Sequence, residues 1–580
     1  MPHCENTCKN RKSPCECEKF DYIIIGAGTA GCALARKLSD KIGDKYKHSV
    51  LVLEAGENLN ADPLVRANNV LVASAMALDP KYSVVYQATL SDPFSRGPYS
   101  DGRLLGGSSA HNGLQCYRGA PKQYNEWAAQ TGETAWLYNN LLTNVMKPFE
   151  HYTPNGTVAN PAQRGLNGPL FITQEPPLDS DPFMQAFATT ANAPFVTDLN
   201  DPTLGVVGSG ANQNWVTPPY LGPNSERSHS ANAYLTGISA PDAVTPPTVI
   251  PPVVDANGKG LDGRKLLVRL NSWVKRIIFD SNNNAKCVEY VTSDDKQKCK
   301  RVRAKQEIIL CAGTINDAAI LQRSGVGDAA LLNSLDIPVV YNNSNVGQNI
   351  ENHYGSVAIM SGETIPLPRV ASAFTNLSSN PPLPAPYNYP NIDERLFQLF
   401  AMDAAFFLAS GIRNVLGITD GISIFNINDT PKSKGATRIV SLNPFIQPEV
   451  NLNLYSDGAY NVFGTDANKV VTWFKILKNI EINTGGAFSV LYPTPDQYAS
   501  DADLFQAALD SDSYFTYHTS GSCRMGASPA NAVCDGRLRV FGVQRLRVAD
   551  CAAVPVIETG NTSYQAFVVG NQCARFILNL

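Results

Sequence analysis

The feature that most constrains this chain is a glycine-rich turn that follows an apolar run near its N-terminus. Residues 22–25 are apolar, and Gly26, Gly28 and Gly31 come next in G-x-G-x-x-G order before a helix-forming run. In such a turn the first glycine permits the tight bend, the second lets the backbone approach a pyrophosphate, and the third lets the helix pack on the strand. The helix N-terminus then faces the phosphates. The segment therefore predicts a dinucleotide-binding βαβ unit.

A second predicted strand, residues 49–53, ends in Glu54, which stands 23 residues after Gly31. A carboxylate at this place can accept hydrogen bonds from both ribose hydroxyls, which disfavours a 2′-phosphate and favours FAD or NAD over NADP. The alternative interpretation is an ordinary strand-to-helix loop. It is disfavoured because the strand, the turn, the helix, the second strand and the acidic residue follow one another in the expected order. The predicted contacts of this unit with a dinucleotide are Gly26, Gly28, Thr29, Ala30, Gly31, Glu54 and Ala55.

Length and composition are those of a large globular protein. The chain has 580 residues, of which 43% are hydrophobic, enough to bury a sizeable core and to form two or more domains. Its formal net charge of -4 gives no reason to expect nucleic acid or an anionic membrane as a partner. The sequence has no apolar run of about 18 residues and no signal-like N-terminus, so we expect no membrane span and synthesis in the cytoplasm.

Thirteen cysteines, an odd number, are divided between an N-terminal cluster and scattered positions. The scattered ones, such as Cys32, lie in apolar patterns where a free thiol packs as a small hydrophobe. The cluster joins C-x3-C to C-x-C and matches no common zinc pattern, so no residue is assigned as a metal ligand. A pair of disulfides, a metal and a disordered tail with reactive thiols stay open for its members, which are His3, Cys4, Cys8, Cys15 and Cys17.

Further along the chain, predicted strands and helices alternate with irregular segments. Strands are predicted at residues 266–270, 274–280, 287–292, 306–310 and within 437–455. Helices are predicted at 395–416, from an apolar stripe at helical spacing, and at 467–480. The segments 154–223 and 361–390, which are rich in Pro and Asn, should form surface connections and, with residues 451–455, the walls of a substrate pocket.

Five blocks of sequence, in a fixed order, carry a family resemblance. They are the glycine triplet, GRLLGGSSAHNG, CAGTINDAAILQRSGVG, VGQNIENH, and the pair YHTSGSCRMG and VADCAAVP with GNTSYQAF. Over residues 20–580 the chain resembles the glucose-methanol-choline (GMC) family of FAD-dependent oxidoreductases. The resemblance implies an α/β fold, in which a Rossmann-like FAD-binding domain carries a smaller α+β substrate domain built on a mainly antiparallel sheet with helices.

The resemblance also implies how the chain is divided. Residues 19–153, 222–345 and 512–580 would form the FAD-binding domain, 154–221 and 346–511 the substrate-binding domain, and 1–18 a Cys-rich tail. Two positions depart from the family pattern. Asp317 and Ala318 stand where a Ser/Thr-Pro pair is usual, which we expect to change only how a helix starts. His111 stands where an aliphatic residue usually precedes Asn112.

The family's chemistry implies roles for particular residues. An alcohol would lose its hydroxyl proton to His518 and a hydride to N5 of FAD, and an imidazole with a pKa of about 6.5 suits that base. Asn561 matches the family's partner residue, whose amide can donate to the developing alkoxide. Further FAD contacts are implied for Gly106, Gly107, Ser108, Asn112, Gly113, Val274, Asp550, Cys551, Asn561 and Thr562. The remaining histidines, His48, His151, His229 and His353, are expected to be structural or on the surface.

His111 admits two modes of contact with the flavin. In some family members a histidine at this place is bonded covalently to the C8 methyl group of the flavin. A non-covalent stacking or polar contact is the alternative, and the sequence does not decide between them. Either way, His111 is predicted to lie at the cofactor.

Two other functions compete with alcohol oxidation, because fold does not dictate function. One is lyase chemistry on the same flavin fold. The other is a structural or genome-packaging protein of a virion, because the Cys-rich tail and Asn-rich loops resemble GMC-type proteins of giant-virus particles. Nucleic acid would be a partner only in that case. Otherwise the expected partners are a small-molecule alcohol, oxygen or another electron acceptor, and further copies of the chain in a homodimer or larger homo-oligomer.

Overall fold

The structure is a computed structural model that describes residues 18–70, 72–91, 95–156, 160–220, 225–238, 250–362, 370–392, 394–403, 416–418, 420–511 and 516–580. The N-terminal cysteine cluster and His3 lie outside these residues. Within them, the strands of three or more residues are β1 (Lys19–Ile25), β2 (Val50–Leu53), β3 (Ser83–Ser91), β4 (Ser95–Gly102), β5 (Glu150–Thr153), β6 (Leu170–Gln174), β7 (Gly208–Ala211), β8 (Leu266–Arg269), β9 (Ser272–Phe279), β10 (Ala285–Thr292), β11 (Asp295–Leu310), β12 (Tyr354–Met360), β13 (Ala371–Thr375), β14 (Phe397–Asp403), β15 (Ile422–Asn428), β16 (Ala436–Arg438), β17 (Glu449–Asn451), β18 (Val490–Tyr492) and β19 (Leu546–Val548).

The helices of six or more residues follow the same numbering. They are α1 (Thr29–Ser39), α2 (Val72–Ala77), α3 (Pro121–Thr131), α4 (Pro182–Thr190), α5 (Thr314–Arg323), α6 (Ala329–Ser334), α7 (Asp466–Asn483), α8 (Asp501–Asp510) and α9 (Ser563–Leu578). Thr465 caps α7, because its side chain accepts a hydrogen bond from the backbone N–H of Asn468. The helix predicted at residues 467–480 is therefore confirmed.

A mixed sheet forms the first layer of the fold. Its strand order is β8-β2-β1-β11-β10-β9, with β19 paired to β11. The pairs of β1 with β2 and β11 are parallel, and Ile24 lies opposite Val52 on one side and Ile309 on the other. Ile23 and Ile24 are fully buried, as expected for a strand covered on both faces. The predicted Rossmann-like unit is confirmed.

Helix α1 packs on this sheet beside the C-terminal helix α9. A Cβ atom added at Gly31 would lie 2.1 Å from the carbonyl oxygen of Gly26, so only glycine lets α1 begin this close to the turn. A Cβ atom added at Gly570 would lie 2.6 Å from the carbonyl oxygen of Ala30, so α9 approaches α1 through a glycine as well. The C-terminus of the chain thereby returns to the dinucleotide-binding unit.

A six-stranded sheet of order β18-β12-β15-β14-β13-β7 forms the second body of the fold. All of its strand pairs are antiparallel, which confirms the predicted second sheet. Helix α7 packs on one face of this sheet, where Trp473 and Phe474 join Leu399 and Ile424 in one apolar cluster. The opposite face carries a separate apolar cluster that includes Phe400 and Phe425.

The helix predicted at residues 395–416 is wrong over its first part. Residues 397–403 form strand β14, paired with β13 and β15, and residues 404–415 lie outside the described residues. Because both faces of β14 are buried, its apolar residues do not alternate with polar ones, and such a run can also match helical spacing. The strands predicted within 437–455 shrink to β16 and β17, since Pro444 and Pro448 stand in the intervening loop.

Candidate functional site

One cavity of about 1150 Å³ extends from the carboxyl ends of β1 and β2 to the antiparallel sheet. Ile25 and Leu53 line it at one end, and Phe400 and Phe425 line it at the other. All but two of the predicted site residues line this cavity: Gly26, Gly28, Thr29, Ala30, Glu54, Ala55, Gly107, Ser108, His111, Asn112, Gly113, Val274, His518, Asp550, Cys551, Asn561 and Thr562. The structure therefore brings together residues from segments more than 500 positions apart in sequence.

Gly31 and Gly106 do not line the cavity, and their surroundings explain why. Gly31 packs against the turn itself, as described above. Gly106 has a φ of +103°, and an added Cβ atom would lie 2.7 Å from Nδ1 of His229. Both glycines shape the loops behind the cavity wall.

Two glycine-rich loops meet at the first end of the cavity. Gly107 has a φ of +54°, and an added Cβ atom would lie 2.7 Å from the Cα atom of Gly28. Gly26 has a φ of +99°, and a Cβ atom added to it would clash with the backbone carbonyl group of Cys311. The N-terminus of α1 opens into the space between these loops, where its free N–H groups favour a phosphate. This cradle fits the pyrophosphate of a dinucleotide.

Glu54 lies at the end of β2, where the sequence predicts the ribose-binding carboxylate. Its Oε2 accepts a hydrogen bond from the backbone N–H of Ala27 at 2.7 Å, and its Oε1 accepts one from that of Gly56 at 2.8 Å. Burial raises the pKa of Glu54 above its usual value, although these two bonds oppose the shift. Each carboxylate oxygen can accept a second bond, so the residue fits a ribose diol as well.

Three carboxyl groups lie next to this cradle: those of Asp317 and Asp550 are buried, and that of Asp101 is half-buried. Asp550 accepts hydrogen bonds from the backbone N–H groups of Gly313 and Ala552, at 2.7 and 2.8 Å. Burial and the nearby Asp550 raise the pKa of Asp317 well above its usual range and that of Asp101 to about 7. Asp317, where the chain departs from the family pattern, is thus more than a helix-start variant, because it adds a buried carboxyl group beside the cavity.

His518 and Asn561 face each other at the far end of the cradle. Asn561 Nδ2 lies 3.4 Å from His518 Nε2, and Gln398 Nε2 lies 3.4 Å from Asn561 Oδ1. The backbone N–H of His518 donates to Asn352 Oδ1 at 2.8 Å. Burial, and then His353, hold the pKa of His518 well below its usual value. The imidazole is therefore neutral and able to accept a proton at neutral pH.

His353 was expected to be structural, but it contacts the predicted base directly. Its Nδ1 atom lies 3.1 Å from Nδ1 of His518, and its side chain is fully buried. Gln398 is also fully buried, on β14, and was not anticipated at all. The sequence could have indicated His353, since it belongs to the block VGQNIENH. It carried no signal for Gln398, because the segment was predicted to be a helix.

His111 lies in the cavity wall beside a buried cation. Burial, and then the charge of Arg227, lower the pKa of His111 to about 4. Arg227 Nη1 donates to the carbonyl oxygen and to Oδ1 of Asn112, at 2.7 and 2.8 Å. Within the described residues, Nε and Nη2 of this fully buried guanidinium have no hydrogen-bond partner. Arg227 thus holds Asn112 from behind the cavity wall, a role that nothing in the sequence indicated.

Three other histidines of the described residues lie outside the cavity lining. His229 is buried behind Gly106, His48 contacts the ring of Tyr22, and His151 contacts the ring of Phe171. In the part of the chain that the structure describes, no cluster of three or more His, Cys, Asp or Glu side chains could hold a metal ion. The helices described there include none with the length and apolar character that a bilayer span requires.

The predicted pocket walls are largely wrong. Among the described residues, none of 154–223 or 451–455 lines the cavity, and of 361–390 only Val370 does. The wall near His518 is formed instead by one face of the antiparallel sheet, together with Tyr492 of β18. Those side chains read as ordinary core residues in the sequence, and only the pairing of the strands turns their shared face toward the cavity.

Known proteins resemble this chain over nearly all of its length. Two models of the family described as GMC oxidoreductase match it, the N-terminal one over residues 20–201 and 261–355 and the C-terminal one over 431–570. An oxygen-dependent choline dehydrogenase of Pseudomonas syringae pv. tomato is 27% identical, over 96% of this chain and 93% of the relative. Patulin synthase of Penicillium expansum is 26% identical, over 96% and 91%.

Solved structures show the same fold at lower sequence identity. Formate oxidase superposes with a TM-score of 0.77 at 20% identity, over 97% of this chain and 98% of that chain. Pyridoxine 4-oxidase from Mesorbium loti superposes with a TM-score of 0.75 at 21% identity, over 97% and 99%. A fungal aryl-alcohol oxidase gives 0.74 at 18% identity, over the same shares.

Proposed function

Because the chain belongs to the GMC oxidoreductase family, as an FAD-dependent oxidoreductase, we propose that it oxidises the CH–OH group of an alcohol with His518 as the base. The observation that carries this proposal is the pairing of His518 with Asn561 in the cavity that begins at the glycine cradle. When bound, FAD supplies a hydride acceptor at its N5 atom. Gly28, Gly107 and Glu54 would hold the pyrophosphate and the adenosine ribose of FAD.

The side chains around His518 support the tautomer that a base needs. Gln398 donates to Oδ1 of Asn561, so Nδ2 of Asn561 faces His518 and donates to its Nε2. Nε2 must then carry a lone pair, and the imidazole proton lies on Nδ1, where His353 Nδ1 accepts it. When the hydroxyl group of a substrate replaces the long 3.4 Å contact from Asn561, this lone pair of His518 Nε2 can take the hydroxyl proton.

Asn561 complements the base without competing for its proton. An amide N–H near Nε2 can donate to the oxygen of a substrate as that oxygen becomes an alkoxide. Its other end is held by Gln398, so the amide is preorganised before the alcohol arrives. One neutral base and one neutral donor form a coherent pair for removing a hydroxyl proton.

The test is anaerobic stopped-flow reduction of the flavin by a panel of alcohols. His518→Ala should slow reduction by about 10²–10⁴-fold, the usual contribution of a general base. The FAD content should not change. His151→Ala, a histidine that contacts Phe171 away from the site, is the matched control. Reduction of the His518→Ala flavin at the wild-type rate would contradict the assignment.

The other roles raised by the sequence stay predictions. Accumulation of reduced flavin under nitrogen separates alcohol oxidation from lyase chemistry, which leaves no reduced flavin. The virion hypothesis rests on the Cys-rich tail, which lies outside the described residues, and on the Asn-rich loops. Electron microscopy of the purified protein distinguishes assemblies from dimers. Acid precipitation separates the two modes at His111, since only covalently bound flavin precipitates with the protein.

A further inference from the structure

We propose that the substrate is an uncharged, mainly apolar alcohol whose body packs on the antiparallel sheet, and that the pocket selects against a quaternary ammonium alcohol such as choline. The inference rests on the proposed function, because it takes His518 and Asn561 as the place where the hydroxyl group is held. It concerns the cavity wall beyond that pair, which no sequence motif covers.

The wall is a row of side chains that begins at the reactive pair. On β14, Gln398, Phe400 and Met402 alternate along one face, and Gln398 contacts Asn561. In the paired strand β15, Ile427 lies opposite Gln398 and Phe425 lies opposite Phe400. Directly opposed residues project to the same face of a sheet. The row therefore leads away from Asn561 along roughly 13 Å of strand, the length of four residues.

The row offers carbon surface and almost no polar groups. Phe400, Met402, Phe425 and Ile427 line the cavity, and each is at most 9% exposed. Tyr492 also lines the cavity, and its hydroxyl group donates to the carbonyl oxygen of Ala507 at 2.6 Å. A polyol would leave most of its hydroxyl groups without partners against such a wall.

Among the described residues that line the cavity, the charged side chains lie away from this apolar row. Glu54, Asp101 and Asp550 belong to the cradle end, and Arg103 and Arg323 lie near Trp273 and Lys275. Near the antiparallel sheet the one charged side chain among the described lining residues is Asp510, which is exposed and accepts a hydrogen bond from Gln506.

A fixed positive charge would therefore lose its hydration against this wall without gaining a buried counter-ion. The faces of Phe400, Phe425 and Tyr492 could compensate through cation–π contacts only in part. A neutral group of the same shape loses no hydration of that kind and gains the same contacts. The wall thus discriminates by charge rather than by size.

The sharpest test uses two alcohols of the same shape. Choline and 3,3-dimethylbutan-1-ol share the CH2OH group and differ by one positively charged nitrogen in place of carbon. Anaerobic titration of the holoenzyme, followed by flavin reduction, should show a dissociation constant at least about tenfold lower for the neutral alcohol. Equal or tighter binding of choline would overturn the proposal.

A second measurement separates this proposal from the function on which it rests. In His518→Ala the same two alcohols are titrated by the flavin difference spectrum, which reports binding without turnover. If no alcohol of the panel reduces the wild-type flavin, the proposed function fails, while the order of the two dissociation constants still decides the substrate class. Tighter binding of choline in this variant would refute the apolar site.

A conservative substitution tests whether the apolar wall binds the alcohol. Phe425→Leu keeps an apolar side chain and should raise the dissociation constant of benzyl alcohol about three- to tenfold, with the FAD content unchanged. Val440→Ala, an exposed apolar residue outside the cavity lining, is the matched control. An unchanged dissociation constant in Phe425→Leu would exclude this face as the binding surface.

Discussion

At the reactive end of the cavity, four side chains orient one another. Gln398 holds Asn561, Asn561 faces His518, and His518 contacts His353. In each contact one atom donates and the other accepts, so the orientation of each side chain depends on the side chain that it contacts. We therefore propose that His353 is a positioning residue, which would keep the proton of His518 on Nδ1 and leave Nε2 unprotonated.

The pH dependence of flavin reduction tests the role of His353. Burial, followed by His353, lowers the pKa of His518 well below its usual value, so the base stays neutral and the rate stays maximal at pH 7 and well below pH 6.5. In His353→Ala both causes weaken and the pKa of His518 should rise. The acid limb of the pH profile should then move to higher pH.

The comparison needs two further variants. His353→Gln keeps an acceptor near Nδ1 of His518 and should return the acid limb part of the way to its wild-type pH, whereas His151→Ala should leave the profile unchanged. An acid limb that stays in place in His353→Ala would show that His353 does not act on the base.

At the scale of elements, the cofactor cradle depends on two loops that approach within van der Waals contact. The turn before α1 and the loop after β4 meet at Gly28 and Gly107, and Gly26 brings the first loop against the end of β11. No side chain fits between these segments. The two loops can lie this close because the glycines carry no Cβ atoms.

A single methyl group tests this packing. In Gly107→Ala the Cβ atom would lie 2.7 Å from the Cα atom of Gly28, which should push the loops apart and sharply reduce the FAD bound per protein. Gly132→Ala is the matched control, because Gly132 also has a positive φ, +71°, but nothing lies within 4 Å of its added Cβ atom.

Both substitutions carry the backbone strain of a left-handed residue, about 1–2 kcal/mol. The difference between their FAD contents, measured from absorbance, therefore reports the clash between the loops. Equal FAD contents in the two variants would argue against the cradle.

At the scale of the whole molecule, a buried ionic network connects distant segments. Glu150 of β5 is fully buried, accepts hydrogen bonds from Arg118 and from the hydroxyl group of Tyr564 in α9, and lies 3.5 Å from Arg164. Arg164 also pairs with Asp198 at 2.7 Å. Although burial opposes it, the two arginines hold the pKa of Glu150 below its usual range.

Breaking this network should destabilise the protein strongly. Glu150→Gln leaves the buried guanidinium group of Arg118 without its anion, while Arg164 keeps only Asp198, and should cost about 3–5 kcal/mol of unfolding free energy. Glu449→Gln removes an exposed partner of Arg438 and should cost about 1 kcal/mol or less, which makes it the control. Thermal or denaturant unfolding measures both. Similar losses in the two variants would contradict the role of the network.

The contribution of Glu150 to stability should also decrease as the pH falls. A carboxylate with a lowered pKa contributes stability above its unfolded pKa of about 4.3, and that contribution is lost as the pH falls through its folded pKa. The difference in Tm between wild type and Glu150→Gln should therefore be largest near neutral pH and shrink in acid. A difference that grows in acid would have the wrong sign.

Local patterns made much of the site predictable. The glycine loops, Glu54, His518, Asp550 and Asn561 belong to contiguous motifs, because a turn, a helix start or a close backbone approach requires particular residues at fixed spacing. Gln398 and Arg227 are single polar residues without such spacing, and nothing local distinguishes them from surface residues. Their roles exist only where another segment packs against them.

The sequence by itself determined the dinucleotide-binding unit, the family and the candidate pair of His518 and Asn561, since these depend on short-range order along the chain. Only the tertiary structure decided the rest. The antiparallel pairing of β14 with β15 placed Phe400 and Phe425 on one face, and the meeting of two distant loops brought Gly107 against Gly28. A strand buried on both faces carries no alternation to show which face meets the cavity, so the substrate wall becomes visible only after the strands have paired.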